Sequence, residues 1–148
     1  MASVFWNAEG ILSIDYLEKG KTITGEYNSN LLTRLDEKIH EKKPGLQKKK
    51  IIFHHPPTKV FWQWHYKLLE HPSYSPDLAP SDFNLFPKLK IFLAGQRFSS
   101  NQEAITAVES YFADLTKNHY RDWIMAMEHC WNKCISLKGD YVEKLKQF

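Results

Sequence analysis

The chain has 148 residues, the length of one domain, and its 43% hydrophobic and 25% charged residues are typical of a globular rather than a disordered protein. No apolar run reaches the roughly 20 residues of a membrane span, no signal peptide is recognisable, and two cysteines exclude a disulfide-rich secreted scaffold. The net charge of +3 is unevenly distributed, because residues 38–59 hold seven lysines against one glutamate and residues 42–69 hold no carboxylate. We therefore expect an intracellular protein, without a membrane partner, whose lysine-rich segment suits a polyanion.

The N-terminal half predicts a hairpin, a helix and two short strands. Apolar runs at residues 4–6 and 11–17 flank a short loop with Asn and Gly, which is typical of an antiparallel hairpin. Asn28 or Ser29 is expected to cap a helix that ends at Pro44-Gly45, with its apolar side chains at helical spacing: Leu31, Leu32, Leu35 and Ile39. Residues 50–54 and 66–70 then predict two strands, so the order is mixed α/β.

The C-terminal half predicts helices. Ser81 can cap a helix closed by Gly95, although Pro87 implies that its first turns are bent or that it begins later. A capping box at residues 100–103 opens the next helix, and a further apolar stripe precedes Gly139 as a C-cap. These stripes are expected to be packing faces: Ile105, Val108, Phe112, Leu115, then Tyr120, Trp123, Ile124, Met127, Trp131, and last Tyr141, Val142, Leu145.

The most distinctive segment is HPSYSPDLAPSDFNLF at residues 71–86. Its three prolines fix φ and disfavour helix before Ser81, so the loop is expected to be stiff and its aspartates, Asp77 and Asp82, to point in defined directions. Asp82 lies in a first helical turn, where backbone N–H groups favour a charged carboxylate. A rigid, ionised carboxylate suits a metal ligand, while the alternative is that both aspartates only serve the turn and the helix start.

This segment resembles the third-acid motif of mariner-family transposases, which reads approximately HPPYSPDLAPSDYHLF. The resemblance extends over nearly the whole chain, through VFWNAEGI at residues 4–11, GQRFSS at 95–100, and the spaced WIM, WNKC and GDY of the C-terminal part. The chain is also similar to the transposase-derived part of SET-domain/mariner fusion methyltransferases, but nothing in it resembles a SET domain or a helix-turn-helix. Residues 1–148 are therefore interpreted as a partial transposase catalytic domain.

The resemblance implies an RNase H-like mixed sheet with flanking helices that cuts and rejoins DNA with two divalent metals, Mg²⁺ or Mn²⁺, held by three carboxylates. Asp82 occupies the third position by its place in the motif. The first acid is expected upstream of the hairpin, so we interpret the chain as N-terminally truncated. The position of the second acid, after Phe53-His54, is Pro56, and the family interval counted back from Asp82 reaches Gln47. The sequence thus predicts one of three acids, unproductive metal binding and no strand cleavage.

The segment between Phe53 and His71 is shorter than in the family, which predicts a shortened crossover helix of two turns or fewer around residues 58–64. The expected remaining function is weak, non-specific DNA binding in the nucleus or elsewhere in the cell, with no small-molecule substrate and with a homodimer as one possible assembly. The residues expected to contact nucleic acid are Lys48, Lys49, Lys50 and Lys59.

Other functions have less support in the sequence. His54, His55, His65 and His71 with Cys130 and Cys134 fit no common zinc module, and the cysteines lie on a helix that is expected to be core, which disfavours a nucleophilic enzyme. Aromatic residues between Lys59 and Lys67 are of a type that stacks on single strands, but a short apolar helix and strand is the favoured explanation. A host-retained interaction or dimerisation module, or a fragment without function, remain the alternatives.

Overall fold

The computed structural model describes residues 1–46, 51–54, 67–72 and 74–142. Within these ranges there are four strands, β1 (Ala2–Asn7), β2 (Gly10–Tyr16), β3 (Ile52–His54) and β4 (Lys67–Leu69), and four α-helices, α1 (Gly25–Lys42), α2 (Phe86–Leu93), α3 (Asn101–Asp114) and α4 (Lys117–Ser136). None of the described helices is both long enough and apolar enough to cross a membrane. The chain divides into two compact units, Met1–Trp6 with Ile11–Ser73, and Asn7–Gly10 with Tyr74–Phe148.

The strands pair as two separate two-stranded sheets. β1 and β2 are joined by two residues and form the predicted hairpin, which is antiparallel because so short a connection permits nothing else. β3 and β4 pair in parallel, with Ile52 opposite Lys67 and His54 opposite Leu69. Parallel and antiparallel pairs are both present as predicted, but the single mixed sheet is wrong for the described residues, because no ladder joins the hairpin to β3 or β4 there.

The core of the first unit forms where α1 packs on the strands. Leu32, Leu35 and Ile39 are buried, and partly buried side chains cover them: Phe5, Leu12, Ile51 and Phe53. The predicted apolar stripe is confirmed, and so is the helix end before Pro44. The predicted cap at Asn28 or Ser29 is wrong, because Thr24 accepts a hydrogen bond from the Tyr27 N–H and begins the helix earlier.

The second unit contains α2, α3 and α4. Pro87 lies in the first turn of α2, so the helix begins late, as the sequence indicated. Ser100 caps α3, as predicted, because its hydroxyl accepts a hydrogen bond from the Glu103 N–H. The Glu103 carboxylate accepts a hydrogen bond from the Ser99 N–H, not from the Ser100 N–H that a capping box would use. The predicted crossover helix at residues 58–64 lies outside the described residues.

Candidate catalytic and nucleic-acid site

The proline-rich segment is anchored through Asp77. A single 3-10 turn at Pro76–Leu78 interrupts the segment that was predicted to stay non-helical until Ser81, with Pro76 in its first turn, where a missing N–H costs nothing. One carboxylate oxygen of Asp77, Oδ2, accepts a hydrogen bond from the Val142 N–H at 2.8 Å, and the Trp131 indole N–H donates to the Leu78 carbonyl at 2.9 Å. Asp77 therefore holds the segment after α4, which is a structural role rather than that of a metal ligand.

Asp82, unlike Asp77, has an exposed side chain that does not anchor the segment. Residues Ser81–Leu85 form a π-helical turn in which the Phe86 N–H bonds to the Ser81 carbonyl, and the Asp82 N–H bonds to the Ala79 carbonyl at 2.9 Å. Ser81 is inside this turn and does not cap it, since Pro80 stands at the cap and makes no side-chain hydrogen bond. The Asp82 side chain is exposed, and none of the described residues forms a hydrogen bond or ion pair with its carboxylate. It is thus available to an external cation.

The same turn buries Asn84. Asn84 is 1% exposed and Leu85 is 0% exposed, while Asp82 two residues earlier faces solvent. The Asn84 Nδ2 is buried with no hydrogen-bond partner among the described residues, an arrangement that costs free energy. Wide helical turns of this kind occur frequently at functional sites, because the extra residue redirects side chains.

The described residues do not fit a two-metal centre. They contain no group of three or more His, Cys, Asp or Glu side chains that could hold one metal ion. Residues 42–69 contain no side-chain carboxylate, and the Asp77 carboxylate already accepts a hydrogen bond from the Val142 N–H. The exposed carboxylate of Asp82 matches one ligand of such a centre, and no chemical step through two metals follows from this arrangement.

The lysines predicted to contact nucleic acid, Lys48, Lys49, Lys50 and Lys59, lie outside the described residues. On the preceding helix, Arg34 Nη1 pairs with Asp15 Oδ1 at 2.7 Å, and Lys38 Nζ donates to the Ser13 hydroxyl at 3.1 Å. These two cations therefore fix α1 on β2. Lys42 in the last turn of α1 and Lys67 at the start of β4 are exposed and contribute positive charge to solvent.

Tyr74 is an exposed aromatic residue that the sequence did not single out. It is 89% exposed, and its φ of 56° lies in the left-handed region, which is rare for a bulky side chain. It lies between Pro72 and Pro76 in the sequence, and proline fixes its own φ. The aromatic residues between Lys59 and Lys67 that were considered for stacking lie outside the described part of the chain.

Cys130 is confirmed as a core residue of the second unit, whereas Cys134 is only partly buried and packs against the same cluster. Cys130 is 3% exposed and packs with Leu78 and Val142, and burial together with the nearby Asp77 charge raises the pKa of the Cys130 thiol. A raised pKa reduces the thiolate fraction, which opposes a nucleophilic role.

Two histidines that showed no zinc-module spacing do meet in the structure. His54 Nε2 lies 3.0 Å from His71 Nδ1. They are separated by 17 positions, so this contact follows from the pairing of β3 with β4 and had no local signal in the sequence.

Comparisons with known sequences agree with the resemblance to mariner-family transposases. Residues 1–49 match the family described as transposase (partial DDE domain). The chain is 31% identical over 157 residues to the mariner Mos1 transposase of Drosophila mauritiana, covering 97% of the chain and 45% of that protein. It is 28% identical over 153 residues to the human histone-lysine N-methyltransferase SETMAR, covering 97% of the chain and 22% of that protein. The chain thus spans less than half the length of either relative.

The fold agrees with solved structures of Mos1. The Mos1 transposase catalytic domain with raltegravir and Mn superposes with a TM-score of 0.88 at 29% identity, covering 96% of this chain and 76% of that one. The Mos1 paired-end complex with the left transposon end gives 0.87 at 28% identity, covering 96% and 44%. The chain therefore has the RNase H-like α/β fold of a transposase catalytic domain. Within that class it belongs to the mariner transposases, as the motif around Asp82 predicted.

Proposed function

We propose that this chain is a transposase-derived nucleic-acid-binding domain that no longer cleaves DNA strands. The observation that carries the proposal is that Asp82, an exposed carboxylate, belongs to no group of three or more potential metal ligands among the described residues. Two-metal phosphoryl transfer requires several carboxylates around two ions a few ångströms apart. One carboxylate supports at most loose binding of Mg²⁺ or Mn²⁺.

The DNA-binding part of the proposal rests on charge. Residues 38–59 carry a local excess of positive charge, with seven lysines against one glutamate. When such lysines contact the phosphates of a nucleic acid, counterions are released, which favours binding. The exposed ring of Tyr74, held on a proline-spaced segment, adds a surface on which an unpaired base can stack. Neither feature reads base edges, so we expect non-specific binding. With DNA as its ligand, we expect the protein in the nucleus or elsewhere inside the cell.

The cleavage part is tested with supercoiled plasmid and end-labelled duplex DNA in Mg²⁺ or Mn²⁺. We expect no nicking above that of the Asp82→Asn variant. Metal-dependent nicking by the unmodified chain that disappears in Asp82→Asn would overturn the proposed inactivity.

The binding part is tested by fluorescence anisotropy over a range of salt concentrations. A variant with Lys48, Lys49 and Lys50 changed to glutamine should bind more weakly, with a salt slope lower by up to about 2.7, because each neutralised phosphate contributes about 0.9. The matched control changes three lysines of the second unit to glutamine, Lys90, Lys117 and Lys138, which removes the same net charge. An equal loss in both variants would assign the affinity to net charge alone.

Self-association is the second candidate function. Apolar side chains of the second unit are exposed, among them Ile91 at 75%, Met125 at 61% and Ile135 at 73%. Exposed apolar surface favours association with another copy, and such association depends little on salt. Light scattering at low and high salt separates the two candidates, since a salt-insensitive dimer without DNA affinity supports an interaction module.

A further inference from the structure

The histidine pair of the first unit has a geometry that the proposed function does not use. His54 Nε2 and His71 Nδ1 are 3.0 Å apart, and the two ring planes are inclined at 58° with their centroids 4.9 Å apart. Both residues are half-buried, so the nitrogens are partly shielded and still reachable from solvent.

The fold holds both rings at one edge. His54 is the last residue of β3 and lies opposite Leu69, the last residue of β4, so His71 follows that strand end by two residues. Parallel strands bring their carboxyl ends to the same edge of a sheet. Pro72 restricts the backbone of His71, and the Phe53 ring packs 5.9 Å from that of Phe5, which fixes the end of β3 on the hairpin.

We propose that His54 and His71 together bind one divalent transition-metal ion of the Ni²⁺ or Cu²⁺ type, with water in the remaining positions. Metal–imidazole bonds of about 2.05 Å to two nitrogens 3.0 Å apart enclose an angle of about 94° at the metal. That angle is close to the right angle of square-planar and octahedral coordination, which Ni²⁺ and Cu²⁺ adopt, and is smaller than the tetrahedral angle that Zn²⁺ prefers.

The ligand chemistry excludes the metal implied by the transposase family. Mg²⁺ takes oxygen ligands, whereas neutral imidazole nitrogen suits nickel, copper and zinc. The histidine site therefore neither supplies the acids that strand cleavage needs nor depends on Asp82 or on DNA affinity.

Metal binding requires one imidazole proton to move within its ring, without leaving the histidine pair. In the metal-free protein one of the two facing nitrogens carries the proton of the hydrogen bond and the other accepts it. When the metal binds, that proton shifts to the other nitrogen of its own ring, His54 Nδ1 or His71 Nε2. Both rings stay neutral, and rotation of each ring turns its facing lone pair from the partner nitrogen toward the ion.

Calorimetric titration of the full chain with NiCl₂, CuCl₂ and MgCl₂ tests the proposal. We expect one nickel or copper ion per chain and no heat from magnesium at the same concentration. His54→Gln and His71→Gln should each lower nickel affinity by at least about tenfold, the loss found even for residues that only support a metal ligand. His129→Gln, at an exposed position on α4, is the matched control and should bind like the unmodified chain.

Imidazole ¹H–¹⁵N spectra of the unmodified chain give a second readout that does not depend on the variants folding. Addition of diamagnetic Zn²⁺ as a weaker probe should shift His54 Nε2 and His71 Nδ1 together. Nickel affinity unchanged in both glutamine variants, or shifts confined to other histidines, would overturn the assignment. Absence of binding by nickel and copper would reduce the pair to an ordinary hydrogen bond and overturn it too.

Discussion

Replacing Asp77 by alanine should destabilise the protein, whereas Asp82→Asn should leave its stability nearly unchanged. Asp77 Oδ2 accepts the Val142 N–H at 2.8 Å, and Val142 is 4% exposed, so the variant leaves a buried N–H without its charged acceptor. A hydrogen bond to a charged group contributes about 1.5–3 kcal/mol. Asp77 Oδ1 is buried without a partner among the described residues, which offsets part of this gain, so we expect a loss near the lower end of that range.

Asp82 lies on the surface, and exposed substitutions usually change stability by no more than about 0.5 kcal/mol. Its charge near the start of a helical segment adds at most about 1 kcal/mol. The two aspartates, five residues apart in one motif, should therefore differ clearly when removed singly.

The assay is urea unfolding followed by tryptophan fluorescence and far-UV circular dichroism. Asp77→Asn is the informative control, because its amide oxygen can still accept from Val142 and should recover part of the loss. If Asp82→Asn lowered the midpoint as much as Asp77→Ala, or if Asp77→Ala had no effect, the division into a structural and an exposed aspartate would be refuted.

The remaining predictions concern the second unit. Cys134 should react with a thiol reagent at neutral pH well before Cys130, since burial raises the pKa of Cys130, and Cys134→Ser should remove the fast phase; equal rates would contradict the packing described. Ser100→Ala should cost about 0.5–2 kcal/mol in urea unfolding, because it removes the cap on α3. Burial raises the pKa of Tyr120 to about 12, so the folded chain keeps a proton that the unfolded chain loses near pH 10. The contribution of the neutral, buried tyrosine to the free energy of unfolding is therefore intact below about pH 10 and is lost as the pH rises to about 12. Urea midpoints of Tyr120→Phe should fall less steeply over that interval, and parallel curves would refute the assignment.

Local pattern predicted most of the element order. The hairpin, the apolar stripe of α1 and the cap of α3 each depend on residues a few positions apart, and the structure confirms them. The start of α1 was wrong because a long-range contact intervenes: the Tyr27 hydroxyl donates to Asp15 on β2, which holds the first turn in place and lets Thr24 act as the cap. Nothing near Asn28 in the sequence signals that contact.

The sequence by itself determined the family, through the motif at residues 71–86, and also the lysine excess and the lack of carboxylates in residues 42–69. Only the tertiary structure decided which aspartate of the motif anchors the chain and which one faces solvent, because Asp77 meets Val142 across 65 positions and Asp82 is turned outward by a π-helical turn. The meeting of His54 with His71 likewise depends on strand register. Residue types and short spacings are written in the sequence, whereas contacts over 17 or 65 positions exist only once packing has fixed which backbone segments lie side by side.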